Sequence, residues 1–429
     1  MRRWVAAAVV ACIAIVIMAV VLSYLAAPTV EINARPNPLL NIAWHCAVDY
    51  ARGFCVDDGK IFTINHYGSV TCYDAEDGEQ LWHRGLGRYW QATPPRAIIA
   101  ADGRVYAGNR GPVVNVLDWN NGTVLWQASA PLISRYSPDL LVVKDGRLFI
   151  YADGWAVCNA TSGDYLWENK DQYDVDRIWP LEGNLVFISR LDSMPSLGWN
   201  VYRVDPDNGS IVWRFPGEIG GCVAGLQEQV ILWNYNGSSL VGLNQTSGEM
   251  IWSYEAEARV YEPTLYNDLL LFGTQNGYFY ALNATDGGLV WKTHVDHPST
   301  ASNVDLLEEQ AEFSYLQTYP VEVDSQNGQI FWGFKFTYGE EQYTGATCSL
   351  SLSTGDSLWL ALTNATGFAL LNNTIYLTGD RDLYCLDEST GMLLGSQFYD
   401  NFNNPPIAMY GKVYVLEAQK LTAYAEPQA

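Results

Sequence analysis

Apolar positions come in short runs of four to eight residues, and polar turn residues close each run. DGKIFTI, DGRVYAG, DGRLFIY, EGNLVFI, LQEQVILW, YNDLLLFG, QNGQIFWG and NNTIYLTG share one layout, a turn followed by a strand rich in Val, Ile, Leu and aromatic residues. Run length, β-branched content and the flanking Gly, Asn and Asp predict strands joined by tight turns. Tyr280–Trp291, YALNATDGGLVW, adds a second element: a strand, an Asn-to-Gly turn and a returning strand. Gly supplies positive φ there, and Asn or Asp tolerates it or bonds its own backbone.

That hairpin recurs. Its glycines are Gly78, Gly122, Gly163, Gly209, Gly248, Gly287, Gly355 and Gly391. Four residues later stand Trp82, Trp126, Trp167, Trp213, Trp252, Trp291 and Trp359, with Gly395 in the last unit. Four residues earlier stand Asp74, Asp118, Asn159, Asp205, Asn244, Asn283, Ser351 and Asp387. Each unit reads as a four-stranded antiparallel meander of about 40 residues. One such sheet cannot bury both faces, but a ring of sheets can. The sequence therefore predicts an all-β propeller of eight or nine four-stranded antiparallel blades. A literal count gives nine sets of inner strands, with YGKVYVLEAQKLTAYA last. That set lacks an outer strand, which NIAWHCAV near the N-terminus could supply; eight and nine blades both stay open.

One interval breaks the period. Gly287 to Gly355 is 68 residues, which places an insertion at about 296–319. Its acidic and apolar mixture, Asp305, Glu308, Glu309 and Glu312 beside Leu306, Leu307, Phe313, Tyr315 and Leu316, nominates it for partner contact, because insertions in repeat arrays map to surface loops.

The first residues differ in kind. Arg2 and Arg3 precede an uncharged, strongly apolar run to Ala27. The run is long enough to span a bilayer and longer than a signal-peptide core. We expect residues 1–27 to be a signal anchor, one N-terminal transmembrane helix with its basic end in the cytoplasm. Residues 28–39 are then a short stalk, and residues 40–425 a single propeller outside the cytoplasm. Composition narrows the partners. Lys and Arg number 24 against 47 Asp and Glu, for a formal charge of −23, which argues against nucleic acid. No CxxC occurs among the cysteines; Cys46 and Cys55 are near each other in sequence, with a bridge and free thiols both open.

Ala281, Asn283, Gly287 and Trp291 match the motif Ala-x-Asp-x-x-x-Gly-x-x-x-Trp, with Asn for Asp. The pattern resembles the quinoprotein-type, pyrroloquinoline-quinone-repeat β-propeller family over roughly residues 40 to 425. The resemblance implies that Trp82, Trp126, Trp167, Trp213, Trp252, Trp291 and Trp359 dock blade on blade. It also implies a choice of function. The family's enzymes place a vicinal Cys-Cys on the quinone and a Glu–Asn–Asp set on calcium. This chain has no adjacent cysteines. It is more similar to the family's non-catalytic outer-membrane assembly lipoprotein-like members. The expected function is a surface-anchored, non-catalytic scaffold for a protein partner or ligand, without pyrroloquinoline quinone or calcium. The alternatives are a carbohydrate-binding or carbohydrate-active surface protein and, behind it, a quinone-dependent dehydrogenase.

Smaller signals fit that frame. Trp90, Trp119, Trp155, Trp179, Trp199 and Trp233 lie outside the repeat position and are candidates for stacking on a surface glycan or for packing between blades. HVDH, with His294 and His297 around Asp296, reads as loop, and no metal ligand is assigned. Sequons at Asn121, Asn159, Asn208, Asn236, Asn244, Asn283, Asn364 and Asn372 are possible glycosylation acceptors, several of them in the repeat turn itself.

Overall fold

Ala51–Asp57, Lys60–Asn65, Ser69–Asp74 and Gln80–Gly85 pair in that order as one antiparallel sheet. Asp58 and Gly59, both at positive φ, make the two-residue turn between the first two strands. Asp74 closes the turn to the fourth strand: its Oδ1 accepts the Glu76 N–H at 2.7 Å and its carbonyl the Gly78 N–H at 3.0 Å. The same unit recurs at 98–129, 140–168, 174–216, 221–255, 264–294, 314–362 and 365–398.

The computed structural model describes residues 41–425 apart from 88–96, 109–112, 130–139, 152–154, 169–173, 182–183, 191–198, 217–220, 225–227, 235–236, 296–313, 319–320, 339–341, 364, 380–381, 399–404 and 418. Nine sheets are present among the described residues. The ninth takes Ile407–Met409, Lys412–Leu416 and Lys420–Ala425 from the end of the chain and Ile42–Ala47 from its beginning. His45 pairs with Thr422 and Cys46 with Leu421. NIAWHCAV is thus the missing outer strand.

Period-2 alternation explains why the sheets form a ring. Ile61 and Phe62 are neighbours on one strand and both fully buried. Ile61 packs with Tyr414 and Leu421 of the ninth sheet, Phe62 with Val105 and Ala107 of the second. Every sheet is buried on both faces in this way, and each junction, including the ninth with the first, has its own apolar cluster.

A bulge prepares the outer strand for docking. In the first sheet Trp82 pairs with Cys72 and Gln80 with Tyr73, which leaves Leu81 unpaired and exposed. Leu125, Leu166, Val212, Ile251, Val290 and Leu358 repeat that geometry. The following Trp lies over the turn glycine of the next sheet. A Cβ added at Gly122 would come within 2.5 Å of Trp82, and one at Gly287 within 2.5 Å of Trp252. Trp126, Trp167, Trp213, Trp291 and Trp359 sit on Gly163, Gly209, Gly248, Gly355 and Gly391 in the same way. Trp44, on the N-terminal strand, does this for Gly78.

The insertion is not only a loop. Ser314–Thr318, within it, pairs with the far half of Gln329–Tyr338, and Glu322–Asp324 pairs with the near half. The seventh sheet therefore has five strands and two long ones, Gln329–Tyr338 and Gln342–Ser351. Residues 1–40, with the expected anchor and stalk, lie outside the described residues. No helix among the described residues is long and apolar enough to cross a membrane.

Candidate interaction face

The meander gives the ring two unlike ends. Turns between first and second strands, and between third and fourth, lie at one end. Most of the former are two residues long, as at 58–59, 102–103 and 145–146, and most of the latter five, as at 75–79 and 284–288. Connections between second and third strands, and from each sheet to the next, lie at the other end. The strand ends they join are separated by as few as two residues, at 363–364 and 380–381, and by as many as nineteen, at 295–313. Packing and turn chemistry fix the first end, whereas the second is free to differ from blade to blade.

The connector end of the first sheet carries a described patch. Tyr50 is 50% exposed and holds φ at +43°, a left-handed conformation that costs a non-glycine residue energy. Its carbonyl accepts the His66 N–H at 2.9 Å, and the His66 ring stands edge-on to Tyr67, itself 43% exposed. Below them Asn65 is buried. Its Oδ1 accepts the Tyr67 and Ser69 N–H groups at 3.0 and 2.8 Å, and its Nδ2 donates to Asp49 at 3.1 Å. An Arg52 guanidinium nitrogen lies 3.5 Å from His66 Nδ1. At the connector end of the sixth sheet Lys292 pairs with Glu257 and lies over the Tyr278 ring at 5.0 Å. Sequence reasoning nominated none of these residues. A Tyr where the turn calls for Gly or Asn is the signal for Tyr50, but it needs a register to be seen.

Several sequence candidates find other roles. Trp155 and Trp233 are buried in blade cores, and Trp119 is part-buried under the Lys60 ammonium, 5.4 Å from its ring. The Trp90 residue and the side chains of Trp179 and Trp199 fall outside the described ones. His294 lies edge-on to Tyr278 at 4.8 Å, while Asp296 and His297 are outside the described residues. Asn121 and Asn208 are exposed, each accepting an N–H from the hydroxyl residue of its sequon at 2.8 Å. Asn159, Asn244 and Asn283 are half-buried and cap their turns. Asn372 is exposed at φ +51°; Asn236 and Asn364 are not among the described residues.

None of the seven described cysteines is in a disulfide, Cys46 and Cys55 included, and none adjoins another. Burial pushes the Cys46 and Cys158 thiols up to about 11 and Cys72 to about 12, so none is a ready thiolate. Among the described residues no three His, Cys, Asp or Glu gather to hold a metal.

No curated protein matches the chain. The family described as outer membrane protein assembly factor BamB matches at residues 41–170 and 198–341. Among solved structures, BamB from Moraxella catarrhalis superposes with a TM-score of 0.50 at 11% identity, over 90% of this chain and 99% of that one. Quinohemoprotein alcohol dehydrogenase from Comamonas testosteroni gives 0.54 at 11%, over 92% and 78%. A europium-containing methanol dehydrogenase gives 0.53 at 15%, over 89% and 86%. At such identities the structural likeness is one of fold, shared by enzymes and by a protein described as an assembly factor. The family match spans well over half of the sequence, and the chain belongs to the pyrroloquinoline-quinone-repeat β-propeller family described as outer membrane protein assembly factor BamB.

Proposed function

We propose that this protein is a non-catalytic interaction scaffold that holds a protein partner on the connector end of its ring. The difference between the two ends carries the reading. One end repeats a fixed turn, and the other presents connectors that differ in length and an exposed Tyr50–Tyr67 patch beside Arg52, residue types that dominate binding energy at protein interfaces. Residues 1–27 would anchor the ring to a membrane and place it outside the cytoplasm. A surface glycan is the second reading, and exposed Tyr50 and Tyr67 rather than the buried Trp155 and Trp233 would stack on it.

Site-specific photo-crosslinking in intact cells tests both placement and face. A photoreactive residue at position 67 should give partner adducts, and one at Asn121, on the turn end, should not. Adducts from the turn end alone would sink the proposal. Protease added outside the cells should remove the adducts; full protection would reverse the orientation.

The dehydrogenase reading gives a second expected result. Titration of the purified protein with pyrroloquinoline quinone and calcium should show no stoichiometric absorbance change and no dye reduction with alcohols. Saturable binding with turnover would make the protein an enzyme.

A further inference from the structure

The seventh and eighth sheets meet through carboxyl groups as well as apolar side chains. Glu388 follows the turn aspartate of the eighth sheet, where Ala75, Ala160 and Ala284 stand in the first, third and sixth. It is 3% exposed. Its backbone is held from both sides: the N–H donates to the Asn373 carbonyl at 3.0 Å, and the carbonyl accepts from Trp359 Nε1 at 2.8 Å. The side chain turns back to the seventh sheet. There it is hydrogen-bonded to the Asp324 carboxyl, and Asn327 Nδ2 donates to its Oε1 at 3.4 Å. Asp324 also accepts the Gln326 and Asn327 N–H groups, at 2.8 and 3.0 Å. Two carboxyl groups in hydrogen-bond contact cannot both be ionised at low cost, so one holds a proton for the other. The groups that act most strongly on Glu388 are Asp324, Asn327 and Asp387.

We propose that Glu388 and Asp324 form a proton-dependent latch between the seventh and eighth sheets, closed in mildly acid medium and loosened as the pH rises through neutrality. The two carboxyls have unequal roles. Burial, then the bond to Asp324, pushes Glu388 up to about 7. Partial burial works to raise Asp324, but the donors Glu388, Gln326 and Asn327 together hold it below its ordinary value. Glu388 is thus the proton carrier and Asp324 the acceptor. A carboxyl raised in the folded state keeps a proton that the unfolded chain releases. Its stabilisation is complete below the ordinary glutamate value near 4.5 and is lost as the pH rises to about 7. The Asp324 contribution has the opposite sign and is lost only as the pH falls through its depressed value. The latch holds best between those limits. It ties down the sheet that carries the insertion.

Melting of the full-length protein, Glu388→Gln and Asp324→Asn between pH 4.5 and 8.5 tests the latch. Subtracting the wild-type profile cancels the many unrelated carboxylates. Gln donates to Asp324 at every pH, so Glu388→Gln should melt close to wild type near pH 5 and a few degrees higher at pH 8. The difference should open between pH 5 and 7.5. Asp324→Asn, which can donate to an ionised Glu388, should flatten the same interval. Differences that do not change with pH in both variants would overturn the latch. Should Glu388→Gln fail to fold, the infrared carbonyl stretch of a protonated carboxyl decides. It should titrate near pH 7 in wild type and vanish in Asp324→Asn; its absence from wild type would overturn the proposal.

Discussion

Gly287→Ala should destabilise the ring by about 3–5 kcal/mol, whereas Gly59→Ala should cost only about 1–2 kcal/mol. Both glycines hold left-handed backbones, with φ of +71° and +68°, so the conformational penalty of a Cβ is shared. Their surroundings differ. A Cβ at Gly59 has nothing within 4 Å; one at Gly287 would come within 2.5 Å of Trp252 Cε3. The indole cannot step aside cheaply. It is 7% exposed, packs among Leu270, Leu282 and Ala284, and donates from Nε1 to Gln229 at 3.3 Å. The methyl must push the ring off the sheet and forfeit the burial that docking gives. Trp252→Ala, which leaves a cavity, should cost roughly 3–5 kcal/mol by itself. In the double variant Gly287→Ala should cost no more than Gly59→Ala, since only the backbone term is left. Thermal and denaturant melts of the five proteins measure this. If Gly287→Ala and Gly59→Ala lose the same stability, the indole–glycine contact does not hold these sheets together.

The glycine and tryptophan offsets made the repeat legible because one physical contact sets both. The bulge places the indole, and the next turn accepts it only if the turn residue has no side chain. Trp44 was not legible as a member of the series. It follows no repeat glycine of its own unit, and its role emerges only once the N-terminal strand pairs with Lys420–Ala425. Ser314–Thr318 was hidden for a similar reason. Pairing with an unusually long strand is a non-local fact, and an irregular interval looks like a loop. Glu388 reads in sequence as one more acid of a turn, and its carboxyl partner is 64 positions away. Of the two readings open for Trp155 and Trp233, packing between blades holds, since both fall on inward strand positions. The exposed aromatic patch belongs instead to Tyr50 and Tyr67, at ends of strands where no periodicity operates.

Deleting residues 1–47 should lower the melting temperature by about 10 °C or more, while deleting residues 1–40 should change it little. The reason lies in the junction where Trp is replaced. Gly395 occupies the docking position of the eighth sheet, and the next turn, between the third strand of the ninth sheet and its outer strand, does not exist as continuous chain. With no turn glycine to cover, an indole there would have no seat. Leu394 in the bulge packs instead among Val413, Val415 and Tyr424. The ninth sheet is therefore held without an indole on that side. On the other side it depends on Trp44, which covers Gly78 and donates from Nε1 to the Ala75 carbonyl at 3.3 Å, and on Lys412 paired with Glu76. Removing Ile42–Ala47 takes away the only indole of the ninth sheet and its fourth strand together. It also bares the edge Lys420–Ala425, whose N–H and C=O groups then seek another strand. The truncated protein should form dimers or larger species on size-exclusion chromatography. A synthetic NIAWHCAV peptide should return it to monomer and raise its melting temperature, while the same peptide with Ala for Trp should do so weakly. A truncated chain that stays monomeric and melts within a few degrees of the full protein would show that the other eight sheets hold the ring without its closing strand.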